Sequence, residues 1–382
     1  MGKLTPVLLL PLVLLVACQA KAPKGPPGPL AGVVITGVEG DADVAASQVS
    51  APCQAAETLL AQSQDGQVRG HRLVALSEEC VKRGSDRAIG QALLGYGLEQ
   101  IGQPRQGLQA LKNLLSFSNA ASSAANPNAA RARVLGYEAR SYFYAGLGRW
   151  ADAVDDLNEA MDSQPNPDPR VTGALMARRG FYQSLAASNP TGSDQPSGVY
   201  ALAAESSFEE ALARWQAPEA ANEVAFQRGM GHLANGRWEA ASLDFSQVFE
   251  TAGRPYRQTQ AMLLAYYADY RLGWSEDQSL EAARATFEAR AAQANISPAL
   301  APFVALFQDV IGPEAALGKA EANPNQNIEA SQLQAYWYIG IYHQMRDEHD
   351  LVARAWNFGL STRVITLQDY FVMQAMSRRF GV

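Results

Sequence analysis

Apolar residues recur three and four positions apart from about residue 51 to the end of the chain, and alanine is abundant throughout this region. The strict alternation of apolar and polar residues that is typical of half-buried strands does not occur there. The pattern therefore predicts an all-α fold for residues 51–382.

Two stretches of this helical region repeat the same arrangement of small and aromatic positions. Both contain the tripeptide Gly-Arg-Trp, which begins at Gly148 in the first stretch and at Gly236 in the second. The other matching positions are Ser141, Tyr144, Ala153, Leu157, Ala160 and Pro165 in the first stretch and Gly229, His232, Ala241, Phe245 and Val248 in the second. This spacing is typical of tetratricopeptide helix pairs, which repeat about every 34 residues.

Weaker copies of the pattern flank these two stretches. They begin at Gly95, at Gly180 and at Gly340, and the copy at Gly180 fits only if the Ser/Pro/Gly-rich residues 188–199 form an inserted loop. Each helix pair leaves an apolar face that only its neighbour can cover, so the pairs must stack. The sequence therefore predicts a superhelical solenoid with a concave groove.

The first helix of each pair is expected to face that groove. The side chains it would present there are Glu138, Tyr142, Phe226, Met230, Trp337, Ile341 and Met345. Aromatic and methionine side chains on a concave wall suit the capture of a peptide or a helix. The alternative is that these residues are ordinary core between the helix pairs.

The N-terminus has the features of an export signal. Lys3 precedes an apolar stretch from Val7 to Val16 that is too short to span a membrane. It ends in Leu-Val-Ala-Cys18, which resembles the lipobox of bacterial lipoproteins and implies that Cys18 is lipidated and that residues 1–17 are removed. The alternative is an ordinary secretory signal that contains a cysteine. Residues 18–50 are rich in proline and glycine and are expected to be a tether.

Two further cysteines, Cys53 and Cys80, lie near the ends of two apparent helices, Gln54–Gln62 and Arg69–Lys82. The two ends meet if these helices form an antiparallel hairpin, and an exported location permits a disulfide. On the chain-entropy model such a bridge stabilises by roughly 3 to 4 kcal/mol. The alternative is a pair of buried free thiols.

Composition and motifs favour a binding protein without a cofactor. The net charge of -7 and the pI of about 5.3 disfavour nucleic acid as a partner. No phosphate-binding glycine loop, Gly-x-Ser-x-Gly elbow or Cys-x-x-Cys motif occurs in the sequence. His343 and His349 are six positions apart, on different faces of a helix, which disfavours a metal site. Adjacent carboxylates such as Asp155 with Asp156 or Glu209 with Glu210 are expected to face solvent.

The stretch from about residue 225 to residue 380 resembles the NlpI lipoproteins in the order and spacing of its helices. The features that carry the resemblance are the repeat beginning at Arg228 and Gly229, the Leu/Tyr-rich helix Met262–Tyr270, the helix with Ala283 and Phe287, the short helix Phe303–Phe307, the last repeat with Tyr338, Ile339, Gly340 and Tyr342, and the closing helix Gln368–Arg378.

The resemblance implies an outer-membrane adaptor that faces the periplasm, is often dimeric, and brings peptidoglycan hydrolases together with a processing protease or with synthases. This chain departs from that family in its extra segment, residues 51–165, and in its long tether. Because Gln19 rather than Asp follows Cys18, the lipoprotein sorting habit also implies the outer membrane. The alternative function is that of a lipoprotein accessory of outer-membrane protein assembly or pilus secretin assembly.

Overall fold

The computed structural model describes residues 51–62, 70–82, 87–100, 103–120, 127–164, 167–188, 197–273, 277–323, 328–362 and 368–381. Within these residues every regular element is a helix, as the apolar periodicity predicts. The predicted signal peptide, Cys18 and the tether lie outside the described residues.

The helices follow one another with short connections. In chain order they are α1 (Ala51–Gln62), α2 (Gly70–Lys82), α3 (Arg87–Gln100), α4 (Pro104–Ala120), α5 (Pro127–Gly146), α6 (Trp150–Asp162), α7 (Pro169–Ser188), α8 (Ser197–Arg214), α9 (Pro218–Ala234), α10 (Trp238–Thr251), α11 (Pro255–Gly273), α12 (Asp277–Gln293), α13 (Ala301–Phe307), α14 (Pro313–Glu321), α15 (Ile328–Gln344), α16 (His349–Ser361) and α17 (Gln368–Phe380).

Proline marks the first residue of several of these helices. The helices that begin in this way are α4, α5, α7, α9, α11 and α14. The first turn of a helix has no intrahelical partner for its N–H groups, so proline costs nothing there and its fixed φ already suits the helix. Four of these helices, α5, α7, α9 and α11, are the first helices of successive pairs.

Successive helices pack as pairs, and the pairs stack. α3 packs on α4, α5 on α6, α7 on α8, α9 on α10, α11 on α12 and α15 on α16, while α3 also packs on α5 and α7 on α9. Contacts of both kinds are needed because each pair leaves an apolar face for its neighbour. The predicted stack of tetratricopeptide-type pairs is confirmed.

The tight turns inside the pairs explain the repeated glycines. Gly148 and Gly236 have φ of 72° and 66°, a left-handed conformation that glycine adopts without steric cost. Each turn is closed by the next N–H, from Arg149 to the Tyr144 carbonyl at 2.8 Å and from Arg237 to the His232 carbonyl at 2.9 Å. The Gly-Arg-Trp tripeptide is thus a helix-ending turn followed by the tryptophan that opens the next helix.

The small residue in the first helix of a pair permits close approach of the second. A Cβ added at Gly95 would lie 2.7 Å from Leu111 Cγ, and one added at Gly229 would lie 2.9 Å from Phe245 Cε1. In the last pair Trp356 lies against Gly340 in the same way. The bulky residue sixteen positions after each glycine therefore fills the space that the missing side chain leaves.

Helix α17 does not extend the stack. It packs across the first helices of several pairs, namely α5, α7, α9 and α15, and also contacts α16. We use the term inner wall for α17 together with the faces of the first helices that α17 covers. We use the term outer layer for the second helices α6, α8 and α10. The inner side of the superhelix is therefore occupied by the chain itself.

Candidate binding site

The prediction of an exposed groove lining is wrong for all seven residues assigned to it. Every one of them is buried, with at most 5% of its surface exposed: Glu138, Tyr142, Phe226, Met230, Trp337, Ile341 and Met345. The physical reason is packing within the stack: the Phe226 and Trp337 rings contact the second helices of their own pairs, and the Tyr142 ring contacts α17.

Trp337 and Phe226 show why the helical-angle reasoning failed. The Trp337 ring stacks on Trp356 of its own pair at 6.0 Å, and the Phe226 ring meets Phe245 of its own pair at 5.6 Å. Both aromatic residues lie three positions before the close-approach glycine, or about 60° away around the helix. A helix that is covered on both sides buries a sector wide enough to include that position.

Glu138 and Tyr142 surround a buried cation rather than a groove. The Arg178 guanidinium on α7 pairs with the Glu138 carboxylate on α5, and both side chains are nearly inaccessible to solvent. The same guanidinium lies 4.8 Å from the centre of the Tyr142 ring. Burial raises the pKa of the Glu138 carboxyl, and the charge of Arg178 opposes that rise. The pair therefore ties α5 to α7 inside the core.

Phe371 of α17 is the central aromatic side chain of the inner wall. Its ring lies 6.3 Å from Tyr142, 6.1 Å from Trp150 and 5.7 Å from Tyr182, so it contacts three helices of two pairs. Side chains of this size contribute most to packing energy in a core. The inner wall is therefore a closed hydrophobic core and offers no groove along these pairs.

The first turn of α17 places a carboxyl group in the same core. Asp369 is buried, and burial raises the pKa of its carboxyl to about 7, against the effect of Arg257 and of a hydrogen bond with Gln260. One carboxylate oxygen of Asp369 has no hydrogen-bond partner among the described residues. Docking of α17 thus buries a group that prefers to be protonated.

Cys53 and Cys80 are joined by a disulfide, with 4.9 Å between their Cα atoms. The bridge connects the first turn of α1 to the last turn of α2, and both cysteines are buried. It closes the N-terminal hairpin of the described stack. The predicted lipidation site, Cys18, lies outside the described residues.

A solvent-accessible cleft of about 380 Å³ lies in the outer layer. Its walls come from α8 and α10, and its floor comes from α9. The lining residues are Glu205, Arg228, His232, Arg237, Ala240, Leu243, Asp244 and Gln247. In contrast to the inner wall, this cleft combines charged groups with an apolar edge, of which Leu243 is 67% exposed.

Two ion pairs organise the cleft. Arg228 binds the Asp244 carboxylate through two nitrogens, with Nε 3.1 Å from Oδ2, and Arg237 Nη1 lies 2.9 Å from Glu205 Oε1. Asp244 is almost fully buried, whereas the Arg228 side chain is 28% exposed. The hydrogen bonds from Arg228 satisfy the Asp244 carboxylate in this buried position.

His232 lies between the two carboxylates and is 7% exposed. Its Nε2 atom is 3.6 Å from Asp244 Oδ2 and 3.8 Å from Glu205 Oε1, distances too long for hydrogen bonds. Burial lowers the pKa of the imidazole, the charges of Arg237 and Arg228 lower it further, and those of Asp244 and Glu205 raise it. His232 is therefore a buried polar group whose Nε2 hydrogen-bonds to neither of the carboxylates beside it.

One pattern in the sequence indicates this site, although the predicted groove residues do not include it. Arg and Asp recur sixteen positions apart as Arg140 with Asp156 and as Arg228 with Asp244, and both pairs form bidentate ion pairs. The expectation that Asp156 faces solvent is wrong, because Arg140 binds and buries it. Asp155, Glu209 and Glu210 are exposed, as expected for carboxylates on the outer side of a helix.

Metal-binding clusters and membrane-spanning helices are both absent from the part of the chain that the structure describes. No group of three or more His, Cys, Asp and Glu side chains in this part of the chain is arranged to bind a metal ion. None of the described helices is long and apolar enough to cross a membrane. His343 pairs with Glu348, and His349 pairs with Asp347.

No protein-family model matches the chain, and no curated protein matches it. Among solved structures, the chain is similar to human IFIT1, in a structure of the IFIT1 dimer with PPP-AAAA. The sequence identity is 14%, the match covers 81% of this chain and 64% of the IFIT1 chain, and the TM-score is 0.43. The chain thus spans less than two thirds of the length of that protein.

Proposed function

We propose that this protein is a lipid-anchored binding scaffold on the periplasmic face of the outer membrane. In this proposal Cys18 carries the anchor, residues 18–50 form the tether, and the helical stack recruits cell-envelope proteins such as peptidoglycan hydrolases or a processing protease. The resemblance of residues 225–380 to the NlpI lipoproteins motivates this choice of partners.

The observation that most supports a binding role is the contrast between the two sides of the stack. The inner wall is covered by α17, which packs across the first helices of several pairs, whereas the outer layer keeps a charged cleft open to solvent. A rigid framework that displays a half-exposed polar site suits the recognition of another protein. The disulfide between Cys53 and Cys80 further supports an oxidising compartment outside the cytoplasm.

The anchor is tested by cell fractionation of a Cys18→Ser variant. We expect the wild-type protein to sediment with membranes and the variant to remain in the soluble periplasmic fraction, because acyl chains contribute roughly 0.8 kcal/mol per buried methylene to membrane binding. A Cys53→Ser/Cys80→Ser variant is the matched control and should stay on the membrane. Sedimentation of the Cys18→Ser variant with membranes would exclude anchoring through Cys18.

The partners are tested by cross-linking in intact cells followed by capture from solubilised envelopes. Recovery of peptidoglycan hydrolases or a protease supports the proposal. Recovery of barrel-assembly or secretin components instead would replace it with the second function expected from the sequence. Capture with the Cys18→Ser variant separates partners that require the membrane location from partners that bind the stack alone.

A further inference from the structure

The helix pair that forms most of the cleft can be compared with an equivalent helix pair in the same molecule. The pair α5 and α6 and the pair α9 and α10 share the Gly-Arg-Trp turn and the bidentate Arg–Asp ion pair. Every residue of the second pair lies 88 positions after its equivalent in the first, for example Arg228 after Arg140. Differences between the two pairs at equivalent positions therefore show what is particular to the cleft.

The first difference is the side chain between the two arginines. In the first pair Tyr144 occupies that place, and its ring centre lies 5.5 Å from the Arg140 guanidinium carbon and 4.5 Å from that of Arg149. In the second pair the equivalent residue is His232, a smaller side chain, and the space beside it is the cleft. The change from phenol ring to imidazole removes volume and supplies a titratable nitrogen.

The second difference is the charge of the second helix. The positions equivalent to Asp152, Asp155 and Glu159 of the first pair are Ala240, Leu243 and Gln247 of the second, and all three of the latter line the cleft. The second pair therefore keeps both arginines, Arg228 and Arg237, but lacks three carboxylates that the first pair has. Arg149 pairs with Asp152 of its own helix, whereas Arg237 reaches across to Glu205 of α8.

The third difference concerns the nitrogen atoms of Arg228, His232 and Arg237, which all line the cleft. Among the described residues, Arg228 Nη1, the Nε and Nη2 atoms of Arg237 and the imidazole Nε2 of His232 make no hydrogen bond to another protein group. Guanidinium groups present planar donor pairs that match a carboxylate. The adjacent Ala240 and Leu243 offer an apolar surface.

We propose that this cleft binds an aspartate or glutamate side chain of a partner protein together with an apolar residue next to it. The inference rests on the proposed scaffold function and names the chemistry by which a partner is recognised. The cleft is open on its outer side, where Arg237 and Leu243 are more than half exposed, so a segment can cross it without ending there.

Other ligands fit the charges less well. A cation would compete with Arg228 and Arg237, which already neutralise Asp244 and Glu205. A phosphate dianion would face those same two carboxylates, whereas one carboxylate can be balanced by one proton on His232. The groups that face the imidazole are Glu205 from α8, Arg228 from α9, Arg237 from the turn and Asp244 from α10. Binding of the partner carboxylate therefore raises the pKa of His232 and takes up a proton.

The test uses the purified full chain with its histidines labelled with ¹³C, observed by NMR. The probes are the capped peptides acetyl-Leu-Asp-Leu-amide and acetyl-Leu-Asn-Leu-amide and inorganic phosphate. We expect the Asp peptide to shift the His232 resonance and to bind at least about fivefold more tightly at pH 5.5 than at pH 7.5, because the protonated imidazole is the binding form. The Asn peptide should leave the resonance unchanged at both pH values, and phosphate should leave it unchanged at pH 7.5, where most of it is the dianion.

Three variants sharpen the result. His232→Tyr copies the first pair and should abolish binding, as judged by the fluorescence anisotropy of a dye-labelled Asp peptide. Leu243→Asp restores one missing carboxylate on an exposed position, so it should also abolish binding with little risk to folding. Tyr144→His makes the reverse change in the first pair but leaves Asp152, Asp155 and Glu159 in place, so it should create no new site.

Equal shifts with the Asp and Asn peptides would show an apolar site and overturn the proposal. Equal or larger shifts with phosphate would show a general anion site and would also overturn it, as would no response to the Asp peptide. The assay requires neither the lipid anchor nor a cellular partner. If the peptide does not bind but envelope proteins are captured, the proposed ligand of the cleft is wrong and the scaffold function is supported. If the peptide binds but no envelope protein is captured, the cleft proposal is supported and the scaffold function is not.

Discussion

The inner wall and the outer layer are built from the same helix pairs but have opposite characters. In the inner wall, Phe371 lies within ring contact of Tyr142 and Tyr182, and every aromatic residue predicted to line a groove is buried. In the outer layer, the Arg140–Asp156 and Arg228–Asp244 pairs hold buried carboxylates beneath partly exposed guanidinium groups. The first region is organised for packing, and the second keeps polar groups within reach of solvent.

This contrast teaches that the curvature of a repeat stack does not by itself identify its binding surface. Concave walls are the usual place for ligands in helical-repeat proteins because they are extended and open. Here the chain covers that wall with its own helix α17, so we propose that recognition uses the outer layer instead.

Phe371→Ala should lower the free energy of unfolding by roughly 3 to 5 kcal/mol, because it removes a fully buried ring at the centre of the inner wall. The matched control is Phe358→Ala, at a ring that is 58% exposed, where we expect a change within about 0.5 kcal/mol. Urea denaturation followed by circular dichroism measures both. Similar losses in the two variants would contradict the assignment of α17 to the core.

Asp369→Asn should change how stability depends on pH. The pKa of Asp369 is about 7 in the folded chain, above the ordinary value of 3.8, so the folded state holds the proton more tightly. The contribution of this carboxyl group to the free energy of unfolding is therefore fully present below pH 4 and is lost as the pH rises through 7. We expect the variant to be more stable than the wild type at pH 8. From pH 4 to pH 8, the free energy of unfolding of the variant should rise relative to that of the wild type by roughly 2 to 4 kcal/mol.

The measurement for Asp369 is the urea midpoint of both proteins between pH 4 and pH 8. Asp350→Asn, at an exposed carboxylate, is the control and should leave the profile unchanged. Parallel profiles of the wild type and Asp369→Asn would mean that the carboxyl is ionised in the folded inner wall, contrary to the prediction.

Asp244→Asn should cost less, about 1 to 2 kcal/mol, because Arg228 loses its charged partner but can be hydrated through its exposed part. Asp156→Asn removes the equivalent pair in α5 and α6 and should cost about the same. Thermal melting of the two variants at equal ionic strength compares them. A loss as large as that of Phe371→Ala would show that the outer layer is as essential to packing as the inner wall.

Local rules predicted the helix pairs well. The spacing of Gly229, Gly236 and Phe245 follows from a close approach and a left-handed turn, both of which depend on residues near one another in sequence. Helix α17 was also expected within a few residues of its bounds. Its position across α5, α7 and α9 was not expected, since nothing in a helical period specifies which distant surface a helix will cover.

The errors at the site have two origins. Tyr142 was assigned to a groove because a concave wall was assumed to be open, and the helix that covers it lies far away in sequence. Trp337 was assigned to the groove because the buried sector of its own helix, where the ring stacks on Trp356, is wider than the helical angle suggested. The cleft was missed because the replacement of Asp152 by Ala240 is visible only when the two best repeats are compared position by position. That comparison needs no structure, but its meaning depends on Glu205, which α8 brings to the cleft from outside the repeat.

The position of α17 also sets an order of events during synthesis. The Gln374 side chain donates a hydrogen bond to the Gly146 carbonyl across 228 residues, and Phe371 contacts Tyr142 over a similar separation. Repeat arrays can begin to fold as each pair leaves the ribosome, since each pair contacts only its neighbours. In this chain Phe371 cannot cover the rings of Tyr142 and Tyr182 until residues 368–380 have been made. For the exported protein that we propose, the closing of the inner wall therefore follows synthesis and translocation.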